Sequence, residues 1–120
     1  MNVQARRPSL SQRDGYGRYH RARRNLIIHI VAVPLFLLGN VALVLGLAQG
    51  RWLGAATGLA LTLVSLAAQG LGHRMEPDPP IAFAGPADAV WRILVEQWIS
   101  FPRFVLSGRW RRAMRQSGCR

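Results

Sequence analysis

The chain has 120 residues, half of them hydrophobic, yet its formal net charge is +11. The cations are all arginine: seven precede Asn25, eight follow Gly72, and only Arg51 lies between. Charge and hydrophobicity this strongly segregated exclude an ordinary soluble domain with an interspersed polar surface and point to a membrane.

Met1 to about Gly17 is polar, basic and rich in Arg, Ser and Gln. It is expected to be a flexible tail at the membrane surface. Residues 26–49 read LIIHIVAVPLFLLGNVALVLGLAQ, and residues 52–72 read WLGAATGLALTLVSLAAQGLG with no charge. Each run reaches the roughly 20 residues that cross a bilayer core, and in lipid the backbone must bond to itself, so both are expected to be helices. The link around Gly50-Arg51 permits only an antiparallel hairpin. Pro34 is expected to kink the first helix. Gly54-x-x-x-Gly58 is expected to pack the second helix against the first.

Glu76 to Pro86 contains four prolines and is expected to be an extended loop. Residues 87–106, ADAVWRILVEQWISFPRFVL, hold too many charges for a third span. Arg92, Glu96, Ser100 and Arg103 form a polar stripe at helical spacing, with Val90, Trp91, Leu94, Val95, Trp98 and Ile99 on the other faces. This predicts an amphipathic helix at the interface, broken near Pro102, with Arg92 and Glu96 paired at i,i+4. Trp91, Trp98 and Trp110 suit the headgroup zone. Residues 109–120 are expected to be a basic tail on anionic headgroups. Cys119, the single cysteine, cannot form an internal disulfide and reads as an exposed thiol.

The fold class is therefore an all-α membrane protein: a two-helix transmembrane hairpin plus a C-terminal amphipathic interfacial helix. Fifteen of 16 arginines lie on the tail side, so the positive-inside rule places both termini in the cytoplasm. The first run starts late and has no small-x-small cleavage site before Arg51, unlike a signal peptide. The all-arginine bias is common in GC-rich bacterial genomes, so the expected membrane is a bacterial inner membrane. Nucleic-acid binding is not expected, because topology already accounts for the arginines.

The three histidines lie at one end of the hairpin. His29 is about one turn inside the first span, His73 ends the second, and His20 just precedes the first. Glu76 follows His73 by three residues, which shares a face if the helix continues. Imidazole with carboxylate suits non-haem iron and also zinc. An ionisable residue inside a span, as His29 is, is a functional candidate. The plainer alternative is histidines resting in the polar interface. His20 and His29 are half a turn out of phase on a continuous helix. Both reach one metal only if the helix starts near Asn25, a suitable N-cap, and His20 folds back.

These residues carry a resemblance. Tyr19-His20, Asn25 to His29 and Val33-Pro34, followed by Gln69-Gly70-Leu71-Gly72-His73, Glu76 and Pro80, resemble the paired signatures of a small membrane protein family. That family is related to the yeast 2-hydroxy fatty acid dioxygenase of phytosphingosine breakdown (the Mpo-like family, formerly a domain of unknown function). The resemblance spans about residues 16–106, within a membrane domain placed at 18–108. It implies an Fe(II)-dependent dioxygenase that uses O2 to shorten a 2-hydroxy fatty acid by one carbon. It implies His20, His29 and His73 as metal ligands, with Glu76 a fourth ligand or a partner that fixes a histidine tautomer. Three departures stand out: Glu76 is one residue closer to His73 than in the family pattern, the Phe before it is missing, and Arg21 replaces a second histidine. Arg74, Arg92 and Arg103 are candidates to hold a substrate carboxylate. A homodimer that completes the site is compatible with so thin a scaffold. The competing class is a non-catalytic membrane scaffold or lipid- or partner-binding protein, which explains the spans and charges but not the co-located histidines.

Overall fold

The computed structural model describes residues 20–79 and 81–117. The basic segment 1–17, Tyr19, Pro80 and Cys119 therefore lie outside the described residues. Helix α1 runs Arg23–Ala48 and α2 runs Trp52–His73. After a loop come α3 (Pro86–Val95), a π-helical turn (Glu96–Ser100), α4 (Phe101–Leu106) and α5 (Arg109–Ser117). No strand occurs among the described residues.

Both α1 and α2 are long and apolar enough to cross a membrane. Only 28% and 22% of their most apolar windows are buried inside the protein, so their outward faces need an apolar surrounding. Helix α1 begins three residues earlier than the apolar run, taking in Arg23 and Arg24, and passes through Pro34 without ending. It stops in a Schellman turn. Gly50 takes φ +66, Arg51 N–H donates to Gly46 O at 2.8 Å, and Gly50 N–H donates to Leu47 O at 3.4 Å.

From this turn the two helices run back along each other. Gly46 lies on Ala55, Gly39 on Gly58, Ala32 on Ser65 and Asn25 on Gly72. A Cβ on Gly39 would lie 2.8 Å from Gly58 O, and one on Gly58 would strike the backbone of Leu43 and Gly39. This is backbone against backbone, a contact that only small residues permit. The predicted Gly54–Gly58 pair is thus half right. A Cβ on Gly54 would meet only Arg51 Cβ, at 3.9 Å, because the seam follows Ala55, Gly58, Thr62, Ser65, Gln69 and Gly72 instead. Polar side chains stitch the same seam. Asn40 Nδ2 donates to Phe36 O and to Thr62 Oγ1, and Ser65 Oγ donates to Ala32 O at 2.5 Å.

Helix α3 starts at Pro86, suited to the first turn because it needs no N–H, and Asp88 accepts from Ala84 N–H at 2.9 Å. No residue of α3 is buried, and Val90, Trp91 and Leu94 stand exposed. The expected break at Pro102 does not occur. The π-helical turn widens the ladder, with Phe101 N–H donating to Glu96 O, and Pro102 follows at once. Its missing N–H coincides with a change of hydrogen-bond register, so the helix continues. The chain bends instead at Gly108, φ +82. The expected basic tail holds α5, whose Trp110 donates its indole N–H to Leu26 O at 3.0 Å and packs with Ala113 and Met114 on a core of Leu26, Val33, Phe101 and Phe104. Trp110 is therefore half-buried against the protein.

Burial pushes the Glu96 carboxyl up from 4.5 to about 6, with Arg92 nearby opposing the shift. The fold thus favours protonated Glu96, and stability falls as pH rises through 4.5 to about 6. Glu96→Gln is expected to flatten that limb and to raise stability at pH 7 by about 1–2 kcal/mol, measured by unfolding in detergent across pH. Gly58→Val is expected to cost about 1–3 kcal/mol in the same assay. Gly54→Ala, facing open space, should be neutral or gain up to about 1 kcal/mol.

Candidate metal centre

Antiparallel packing brings the start of α1 and the end of α2 together, and the three histidines meet there. The ring centroids of His20 and His29 are 4.7 Å apart, those of His20 and His73 4.7 Å, and those of His29 and His73 5.0 Å. The rings are close to mutually perpendicular, at 87°, 75° and 82°. One nitrogen from each lies within 4.8 Å of the others, close enough to hold a metal ion. Nitrogens on one ion with bonds of about 2.1 Å sit roughly 3–3.5 Å apart, so only a small closure separates this arrangement from a bound one.

The hydrogen bonds around the rings fit a ligand role. His29 Nδ1 is 3.0 Å from Asn25 O. A carbonyl only accepts, so Nδ1 carries the proton and Nε2 presents its lone pair. This is the outer contact typical of metal-bound histidines. His73 Nδ1 is buried with no hydrogen-bond partner among the described residues. A buried polar atom left alone is costly, and a cation at the centre of the three rings would resolve it. His20 and His29 are buried, while His73 is part-exposed. Phe101 lies 6.3 Å from His29 and Phe104 6.5 Å from His20, centroid to centroid, which gives the cluster an apolar wall.

Glu76 is engaged beside the cluster rather than in it. Its carboxylate accepts from Arg21 N–H at 2.6 Å, Ala22 N–H at 3.0 Å and Asn25 Nδ2 at 2.6 Å. Helix α1 has no side-chain cap of its own at Ala22, so Glu76, just beyond the end of α2, supplies one. The expected N-cap role of Asn25 is corrected accordingly. Asn25 lies inside the first turn, fully buried, donating to Glu76 with its side chain and accepting from His29 with its carbonyl. Gly72 makes room for it, since a Cβ there would collide with Asn25 Oδ1. Arg21 adds a second tie across the same gap, 3.3 Å from Asp78. Glu76 thus holds the backbone directly after His20 and the residue that orients His29.

The three arginine candidates are dispersed. Arg92 pairs with Asp88 at 3.6 Å rather than with Glu96, donates to Ile81 O and Ala82 O, and lies 4.7 Å from the Phe83 ring centroid. Its guanidinium clamps the loop ahead of α3. Arg74 and Arg103 are exposed. One pair escaped the sequence reading, in which Gln69 is only a motif residue and Gln97 has no role. Gln69 and Gln97 exchange hydrogen bonds in both directions, at 2.9 and 2.6 Å, and Gln69 also donates to Ser65 Oγ at 3.0 Å. The available signal was a glutamine in each segment at a position that an apolar or lipid-facing residue would ordinarily take. No family model, no curated protein and no solved structure matches the chain.

If Glu76 positions ligands and is not one itself, Glu76→Gln should lower stability by about 1.5–3 kcal/mol through weakened charge-assisted bonds. Metal stoichiometry should be unchanged. Loss of metal at unaltered stability would instead make Glu76 a ligand.

Proposed function

We propose that this chain is a membrane-embedded non-haem iron protein of dioxygenase type, acting on 2-hydroxy fatty acids at the cytoplasmic face. The observation that carries the proposal is the meeting of His20, His29 and His73 at one end of two apolar helices. The resemblance of the motifs around these residues supplies the iron and the substrate class. The donor set suits the assignment. Three imidazoles bind iron, zinc or copper, and a site with three protein nitrogens leaves positions for other ligands. Bound Fe(II) would supply the O2 chemistry that shortens the substrate by one carbon.

In this reading α1 and α2 form a transmembrane hairpin with both tails in the cytoplasm, the orientation that the arginine distribution favours. Helix α3, with Trp91 and Leu94 outward, lies in the interface, and α5 adds Arg111 and Arg112 towards anionic headgroups. The chain's own residues divide the remaining work. Asn25 orients His29, Glu76 holds the backbone after His20, and Phe101 and Phe104 keep one side apolar. Part-exposed His73, with Arg74 beside it, marks the side from which a carboxylate at the membrane surface approaches, its acyl chain remaining in lipid.

The test is the metal content of protein purified anaerobically in detergent. About one iron per chain is expected, lost in both His29→Ala and His73→Ala while each variant still inserts in the membrane. The loaded protein should consume O2 with a 2-hydroxy fatty acid and not with the unsubstituted acid. Zinc in place of iron would overturn the dioxygenase reading but keep the site. No metal after reconstitution with Fe(II) would overturn both.

A further inference from the structure

The segment from the π-helical turn to α5 has a buried face unlike that of α3. Helix α3 buries nothing, but Gln97, Ser100, Phe101 and Phe104, spaced 3, 1 and 3 residues apart, are all buried. The change occurs at the wide turn Glu96–Ser100, which rotates the following residues inward relative to those before it. Two of the four, Phe101 and Phe104, face His29 and His20.

This segment is tied at both ends, and to different helices. At its start the Gln97 amide exchanges hydrogen bonds with Gln69 of α2, one turn before His73. Gln69 is in turn held by Ser65, whose hydroxyl donates to Ala32 O of α1. After its end the Trp110 indole N–H donates to Leu26 O of α1, one turn before His29 and Ile30. A mutual amide pair satisfies one donor and one acceptor on each side chain. In an apolar surrounding it is strongly preferred over separation, which would leave both amides unsatisfied.

We propose that the Gln69–Gln97 amide pair and the Trp110–Leu26 hydrogen bond strap residues 96–106 across the histidine cluster as its cover, so that Gln97 and Trp110 are positioning residues for the centre. The cover shields His20 and His29 and leaves His73 as the open side. Its value to a metal centre is exclusion of water and control of ligand entry; that part rests on the function proposed above, while the strap itself rests on geometry alone.

The experiment uses the full chain in detergent, stripped of metal, and diethyl pyrocarbonate, which acylates accessible neutral imidazoles. Mass spectrometry then reads each histidine separately. In the unaltered protein His73 should react first, and His20 and His29 slowly. Gln97→Leu and Trp110→Phe should each speed acylation of His20 and His29 by roughly tenfold, with helix content unchanged. Trp110→Phe removes the N–H donor and part of the ring but keeps an aromatic side chain against the core, so it remains informative if Gln97→Leu fails to fold. Trp98→Ala, in the same turn but exposed, should leave the rates alone. Unchanged rates in both strap variants would overturn the proposal, as would an equal rise in Trp98→Ala. Because the reaction is run without metal, its outcome is independent of the iron measurement. Protection that depends on the straps in a protein that binds no iron would retain the cover and reject the function.

Discussion

Everything in this structure depends on the direct approach of two helix backbones. At Gly39 and Gly58 there is no room for a Cβ on either side, and a Cβ on Gly46 would strike the backbone of Ala55. In the membrane setting proposed for these helices no hydrophobic gain distinguishes a packed apolar face from one facing acyl chains, so close dispersion contact and short polar bonds do the pairing. A wider separation would lengthen every contact above it. Asn25 could no longer lie on Gly72, and His29 and His73 would be too far apart to share an ion.

Polarity is arranged inside out relative to a soluble helical domain. The outward faces of α1, α2 and α3 are apolar, whereas the buried positions include His20, Asn25, His29, Ser65, Gln69, Gln97 and Ser100. Each buried polar group in such a setting needs a defined partner, because desolvation is costly and water is absent. That requirement makes the interior specific. Ser65 donates to one carbonyl of α1 and accepts from Gln69, Gln69 pairs with Gln97, and the Glu76 carboxylate gathers the amides that begin α1. The histidine cluster is the end of this polar interior, where the start of α1 meets the end of α2.

The charges at that end have two roles that composition does not separate. Arg21 and Arg92 are structural: one bridges to Asp78, the other holds the loop before α3. Arg103, Arg111 and Arg112 are exposed, and their contribution is the field they place at one end of the spans. The acids are mostly committed as well. Asp88 stabilises the start of α3 and Arg92, and Glu76 caps α1.

Much of this was legible in the residues themselves. Two uncharged runs of sufficient length imposed two helices, the short link around Gly50 returned the chain, and that return was enough to bring His20, His29 and His73 to one end. Length, polarity and chain connectivity decide such features, and all three are one-dimensional. The faces were not legible. In α2 nearly every position is apolar or small, so the pattern carries no phase, and Gly54 looked as good a contact as Gly58. Asn25 resembled a cap because its type suits one, but Glu76, fifty-one residues away, took that place. Pro102 resembled a break, until a wide turn absorbed its missing donor. Which polar group meets which is set by the distance between backbones and the rotation of each helix, and only the packed tertiary structure holds those quantities.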